Sequence, residues 1–469
     1  MTYPIWEVPF IGSGWIIGLM ASLHVFISHF AIGGGAFLAF TEHLAYKRDD
    51  QRLYDWIKTH AKFFLLITTV LGTVTGVGIW WAIGLVSPNG TSLLLQNFSL
   101  FWAAEWVLFL VELVTFFVWY YTMGRIPKKT HLQIAWAYFG VSFFTLFVIN
   151  GILTFMLTNG TWAVDGNIWS GYFNQGFIPS LFIRLFIMFG IAGVYALVSA
   201  ARLPKTDTLR PYLFQYSAKW MLPAVTLAPL FVLWYLFALP DGTQQIILSG
   251  LSTMGEGNFS ILARAIFMTL VFAVSLFGMT LVGPYLNPKG FSMSFALVML
   301  ATMFGFMLNE EWSREMMRKP YVIYDYMYSN GLPKKNIQQV NNDGFFASAK
   351  FANAERQSLV GASQEEVGRL VFRYQCMSCH VEKGSGYRSM QRLLGERDEQ
   401  AISSLLTLMR DNNKPDSPYH GYMPPFVGTQ EEQAALASYL ATLNRKPEGA
   451  APAHPEAMAT VKLPKPNVQ

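Results

Sequence analysis

The chain has two cysteines, Cys376 and Cys379, separated by two residues and followed at once by His380. Thiols at that spacing with a histidine behind them form the attachment motif of a c-type haem. Each thiol forms a thioether to a porphyrin vinyl group, and the adjacent imidazole is the proximal iron ligand. A zinc site built on the same residues needs two further Cys or His ligands, and only His420 is near. Met423, in Tyr-Met-Pro-Pro-Phe, is the expected second axial ligand. A His/Met pair raises the reduction potential, as an electron carrier requires.

The other chemically capable residues sit in apolar surroundings, where an ionisable group is costly and its presence is a functional hypothesis. Glu105 and Glu112 are seven residues apart, hence on one face of a helix. Counted from the outer end, they lie roughly 10 Å and roughly 20 Å deep at 1.5 Å per residue. A pair of protonated carboxyls hydrogen-bonded to a neighbouring helix is the plainer reading. His24 lies mid-helix, and His29, five residues on, points about 140° away from it, so a straight helix cannot bring both to one haem. A lone buried histidine is often only an interhelix hydrogen bonder. Arg184 and Arg264 are placed to pair with carboxylates, a haem propionate among them. In Glu310-Glu311-Trp312-Ser313-Arg314-Glu315-Met316-Met317-Arg318-Lys319-Pro320-Tyr321, a helix puts Glu311 and Glu315 on one face and Arg314 and Arg318 on an adjacent stripe. The bland reading there is a salt-bridged, snorkelling helix end.

The elements that carry these residues follow from composition. The chain of 469 residues is 52% apolar, 16% aromatic and only 13% charged, against about 25% charge in a soluble domain. Eight stretches reach the roughly 20 apolar residues that a bilayer crossing takes, near residues 11–41, 63–86, 98–123, 132–157, 178–198, 220–239, 261–286 and 291–308. Lys and Arg crowd the first, third and fifth connections (Lys47, Arg48, Arg52, Lys58 and Lys62; Arg125, Lys128 and Lys129; Arg202, Lys205, Arg210 and Lys219), Lys289 lies in the short seventh, and the second, fourth and sixth have none. The positive-inside rule then makes the odd loops cytoplasmic. The N-terminus and everything after the eighth span lie on the outer, periplasmic side, where c haem is attached in bacteria. The start, MTYPIWEVPF, has no basic region or cleavage site, so a cleaved signal peptide is not expected.

The fold class is therefore an all-α integral membrane protein, a bundle of about eight helices followed by a small all-α cytochrome c domain. Expected boundaries are a membrane bundle over 1–325, a linker over 326–363, the haem domain over 364–445, and a disordered Pro/Ala-rich tail over 446–469. Amphipathic helices at 365–374 and 430–443 are expected to clasp the haem. No histidine occurs between His131 and His380, and His43, His60 and His131 lie at the cytoplasmic edge, so a wire of bis-histidine haems lacks ligands. The methionines and the Gly33-Gly34-Gly35 run read as core filling and close helix packing.

The haem domain resembles the class I monohaem cytochromes c. From about Trp15 to Tyr321 the chain resembles subunit I of the cytochrome bd oxidases. Three places carry that likeness: His24 with Gly33, Ala36-Phe37-Leu38-Ala39 and Glu42; Leu71-Gly72-Thr73-Val74-Thr75-Gly76; and Glu315 with Arg318-Lys319-Pro320-Tyr321, similar to the family's Glu-x-x-Arg-Gln-Pro-Trp. The resemblance implies that His24 binds one haem of an oxygen-reducing pair and Glu315 the other, two non-covalent haems of b type or one b and one d. It implies Glu105 as a ligand or proton donor, Glu112 as a proton relay, and Arg314 and Arg318 as partners of propionates. The departures are as informative. The family's low-spin haem uses a His on the fifth helix and a Met on the seventh, where this sequence has Arg184 and Ile266, so that haem is expected to be missing. The long quinol loop is missing, since the sixth loop spans only about 240–258, and so is the ninth helix. Glu105 and Glu112 are one residue closer together than the family's pair.

A changed electron donor is the expectation these departures support. Electrons would pass from a periplasmic cytochrome or other donor through the c haem to two membrane haems, where oxygen is reduced to water. A second, related membrane subunit is the expected partner within the lipid, and nucleic acid is not expected. The rival expectations are a quinol-to-cytochrome conduit without oxygen chemistry, a reductase of nitric oxide or another small gas, and a bare anchor for the c domain. An anchor has no reason to carry buried Glu and His.

Overall fold

The computed structural model describes residues 3–444 except 255–259, 360, 385–387, 413, 415–416 and 418. The tail over 446–469, expected to be disordered, lies outside the described residues. Eight helices are long and apolar enough to cross a membrane: Ser13–Arg48, Gln51–Val86, Ser99–Thr122, Lys128–Phe155, Ile168–Ala200, Leu209–Ala238, Ile261–Leu286 and Met293–Arg318. They are called here the first to eighth spans. Several outrun their apolar stretches, because a helix keeps its hydrogen bonds past the lipid edge while long basic side chains reach water. The second span, for instance, begins at Gln51 and passes through a π-helical turn at Leu66–Leu71 before the Gly72–Gly76 stretch.

The fifth span is the hub, with 72% of its apolar window buried against 6% for the third. Its close approach to the first span depends on glycine. A Cβ on Gly33 would stand 2.0 Å from the Met188 carbonyl oxygen, and toward the second span one on Gly34 would stand 2.3 Å from the Phe64 ring. Aromatic contacts fill the remaining space, with Phe30 stacked on Tyr195 at 3.7 Å and Phe26 edge-on to Phe304 at 5.4 Å.

Beyond the eighth span the chain turns through a short hairpin, Tyr321–Ile323 with Met327–Tyr328. This hairpin is clipped to the end of the fourth span. The Tyr324 N–H donates to the Met156 carbonyl at 2.9 Å, and Asn159 Nδ2 donates to the Tyr324 carbonyl at 2.8 Å. The haem domain follows, with helices Gln364–Gln375, Met390–Leu394, Glu399–Arg410 and Gln430–Thr442. The first and last of these carry capping boxes, Ser363 with Glu366 and Thr429 with Glu432, which satisfy the free N–H groups of their first turns. They cross closely at Gly368, where a Cβ would stand 1.9 Å from the Ala435 carbonyl oxygen.

The segment over 326–363 is not the linker that its polar composition suggests. Leu332, Ile337, Val340, Phe345, Phe346, Ala349 and Ala352 are buried in one core with Leu370, Phe372 and Leu436. The Glu432 carboxylate accepts the N–H groups of Phe345 and Phe346 at 2.8 and 2.9 Å, and Asn341 Oδ1 accepts the Gly428 N–H at 3.0 Å. Its short helices space their apolar residues too irregularly for a periodic pattern to reveal them.

Candidate functional site

The c-type haem motif closes directly on the helix that precedes it. The Cys376 N–H donates to the Phe372 carbonyl at 2.8 Å, and the next turn brings the His380 N–H to the Cys376 carbonyl at 2.9 Å. Both thiols and the imidazole therefore leave one tight turn. His380 Nδ1 lies 3.2 Å from the Arg388 carbonyl oxygen. A carbonyl only accepts, so the proton sits on Nδ1 and the Nε2 lone pair is left for a metal. Burial pushes the Cys376 thiol up to about 12 and the His380 imidazole down to about 4, so His380 is neutral, as an iron ligand must be. Among the described residues no three His, Cys, Asp or Glu side chains converge as an ion cage, so the motif has no partners for tetrahedral zinc. The donor set fits a covalent haem.

Met423 lies on a loop held by Asn412, a residue the sequence did not single out. Asn412 Nδ2 donates to the Met423 carbonyl at 2.5 Å, its Oδ1 accepts from Ser417 Oγ at 2.9 Å, and its own carbonyl accepts from His420 Nδ1 at 3.1 Å.

The histidines of the bundle differ in which ring nitrogen is left free. His24 Nδ1 is 3.3 Å from Thr75 Oγ1, and that hydroxyl is 2.6 Å from the Leu71 carbonyl. The Thr75 proton goes to Leu71, so Thr75 accepts from Nδ1–H and Nε2 of His24 is available. Gly76 makes room for the ring, since a Cβ there would stand 3.3 Å from His24 Cε1. His131 is different. Its Nδ1 is 2.5 Å from Glu42 Oε1 and its Nε2 is 2.8 Å from the Trp119 carbonyl, while Trp119 Nε1 donates to Glu42 Oε2 at 2.8 Å. Both nitrogens face acceptors, so His131 and Glu42 form a closed structural knot between the first, third and fourth spans.

Glu105 and Glu112 project from the third span, and only Glu112 has a hydrogen-bond partner among the described residues. Tyr138 Oη lies 3.3 Å from Glu112 Oε1 and 3.1 Å from the Ala31 carbonyl. One hydroxyl proton cannot serve both, so both contacts are hydrogen bonds at once only when Glu112 donates to Tyr138. At the end of the eighth span the expected stripes resolve into ion pairs. Arg314 Nε and Nη2 reach Glu311 Oε2 at 3.0 and 2.7 Å, Glu315 pairs with Arg318, and Lys319 Nζ lies 2.8 Å from Glu315 Oε1. Arg184 is buried within the fifth span, and Arg264 lies in the first turn of the seventh helix.

The two regions meet. Ser13 Oγ donates to the Met377 carbonyl at 3.3 Å, Arg369 lies 3.7 Å from Glu7, and Arg388 Nη2 lies 3.8 Å from Met316 Sδ. A cavity of about 140 Å³ lies at this joint, bounded by Phe10 and Ser13 on one side and by Met377 and His380 on the other. The haem motif is thus seated on the end of the first span, and the carbonyl that holds His380 belongs to the residue that touches Met316, next to Glu315.

Comparison with known proteins agrees with this division. Residues 366–444 match the cytochrome c family. No curated protein matches the chain. Among solved structures, the bd oxidase from Geobacillus thermodenitrificans matches with a TM-score of 0.57 at 15% identity, over 66% of this chain and 87% of that one. At that identity the likeness is one of fold. The protein is a multi-pass, haem-containing membrane redox protein, with a cytochrome c domain carried on a bundle of the bd oxidase fold.

Proposed function

We propose that this chain is the haem-bearing subunit of an oxidase, taking electrons from a periplasmic donor through its c haem to a membrane di-haem site that reduces oxygen to water. The observation that carries the reading is the seating of the haem motif on the bundle. His380, the Arg388 carbonyl, the Arg388 side chain and Met316 follow one another to Glu315. Such contact keeps donor and acceptor close without a diffusional step.

In this reading His24 and Glu315 ligate the two membrane haems, which supply the redox chemistry when bound. Thr75 fixes the His24 tautomer. Arg318 and Lys319 hold Glu315 and offset charge arriving beside it. Glu105 stands at the outer end of the proton route as a ligand or donor, and Glu112 exchanges a proton with Tyr138 deeper in. The basic odd-numbered loops support a periplasmic c domain. A largely unburied third span that carries two carboxylates supports a second membrane subunit packed against it.

The test is oxygen uptake by the purified protein with its copurifying partner, driven by a reduced soluble c-type cytochrome, together with a pyridine haemochrome count. One c haem with non-covalent haem and cytochrome-driven uptake is the expected result. Non-covalent haem without uptake would leave a conduit, and c haem alone would leave an anchor.

A further inference from the structure

The C-terminal domain holds the c haem, yet the ground beside the proximal ligand is furnished by the other end of the chain. The cavity at the joint has His380 and Met377 on one side and Glu7, Phe10 and Ser13 on the other. The segment that supplies these last three leads into the first span and is pinned at both ends. Near its start, the Trp6 N–H donates to the Leu85 carbonyl at 3.0 Å, and Glu7 faces Arg369, whose Nε donates to Glu382 at 3.2 Å. At its end, Ser13 Oγ donates to the Met377 carbonyl.

Between the two pins stands Phe10, with its backbone in the left-handed region at φ 64°. A bulky residue seldom takes that conformation, because its Cβ crowds the backbone. The turn is closed by the Gly12 N–H, which donates to the Val8 carbonyl at 3.0 Å. The haem domain meets it with a glycine of its own, since a Cβ on Gly384 would stand 2.7 Å from the Phe10 carbonyl oxygen. Strain of this kind persists only where the surroundings fix it, and it gathers at functional sites. The plainer reading is an aromatic anchor in the outer headgroup layer, because Phe10 is 69% exposed and Ile11 and Trp15 are exposed beside it. An anchor accounts for an exposed ring. It does not account for the left-handed backbone or the glycine opposite, and of these three residues only Phe10 bounds the cavity.

We propose that Phe10 is the outer wall of the c-haem site on its His380 side, a residue of the membrane part that keeps water from the proximal ligand and so raises the potential of the haem. Oxidised haem carries one more positive charge than reduced haem, so a dry wall disfavours the oxidised form. Phe10 acts through His380 and is a positioning residue. The inference rests on the covalent haem and on the seating of the two regions, not on what the bundle does with the electron.

The experiment is a redox titration of the c-haem α-band in the purified full-length protein, comparing the wild type with Phe10→Gly, Phe10→Leu and Ile11→Gly. Glycine takes the left-handed backbone freely, so Phe10→Gly removes the ring without adding strain, and c haem per chain reports that it has matured. The midpoint potential is expected to fall in Phe10→Gly, to stay near the wild type in Phe10→Leu, which keeps an apolar cover, and to be unchanged in Ile11→Gly. A wild-type potential in Phe10→Gly would overturn the inference and leave the oxidase reading standing. An equal fall in Ile11→Gly would also overturn it, since loosening the segment would then suffice. Should Phe10→Gly fail to accumulate, Phe10→Asn decides the matter. Asparagine tolerates this backbone and brings a polar group to the cavity, so the same fall is expected and its absence would contradict the proposal.

Discussion

The haem motif of the C-terminal domain and the polar residues of the bundle solve the same problem in opposite ways. At Cys376, Cys379 and His380 everything chemical arises from five consecutive residues closing one turn, and the rest of the domain fastens that turn. In the bundle no two candidate ligands share a local motif, and His24, Glu105 and Glu315 come from the first, third and eighth spans. A covalent cofactor needs only a local motif. A non-covalent one has to be enclosed by helices far apart in sequence, so its site is built by packing.

The comparison can be broken at its strongest point by replacing both thiols, Cys376→Ser with Cys379→Ser. Haem staining on a denaturing gel should vanish and cytochrome-driven oxygen uptake should fall to background, while non-covalent haem stays. Loss of the membrane haem as well would mean that the two regions do not mature independently. Next in size, Glu315→Ala should remove one non-covalent haem and reduce oxygen uptake by about 100-fold or more, the scale of losing a group at the reacting centre. The c haem should be untouched in its spectrum. A smaller effect is expected from Thr75→Val, which keeps the shape and removes the acceptor for His24 Nδ1–H. Haem retention at that site should weaken by about 10-fold, as for other residues that orient a metal ligand, and titration of the apoprotein with haemin measures it. The smallest change sharpens the other side. Gly368→Ala forces a methyl against the Ala435 carbonyl and should destabilise the haem domain by about 1–3 kcal/mol, visible as a lower melting temperature of the c-haem absorption with oxygen uptake unchanged at low temperature.

Legibility in the sequence follows the same division. Cys376-Met377-Ser378-Cys379-His380 is readable because its geometry is local, and the eight spans are readable because lipid demands long apolar runs. The pairing of Arg314 with Glu311 and of Arg318 with Glu315 is helical arithmetic. The close approach of the first and fifth spans depends on Gly33 lying against Met188, and nothing in the spacing of residues 33 and 188 announces it. Glu42 and His131 were visible only as separate residues, one in a motif and one at the cytoplasmic edge, yet packing closes them into one knot with Trp119. The packing of the segment before the haem domain is not legible, because the backbone N–H groups of the buried Phe345 and Phe346 are capped by Glu432, far along the chain.

The central claim is that electrons leave the c haem for a site that depends on Glu315 and end on oxygen. Mixing the fully reduced, anaerobic protein with oxygen in a stopped-flow spectrometer tests it directly, following the α-band of the c haem. The account predicts rapid oxidation of the c haem in the wild type, and oxidation slowed to the uncatalysed rate in Glu315→Ala. A c haem that oxidises equally fast in both proteins would contradict it.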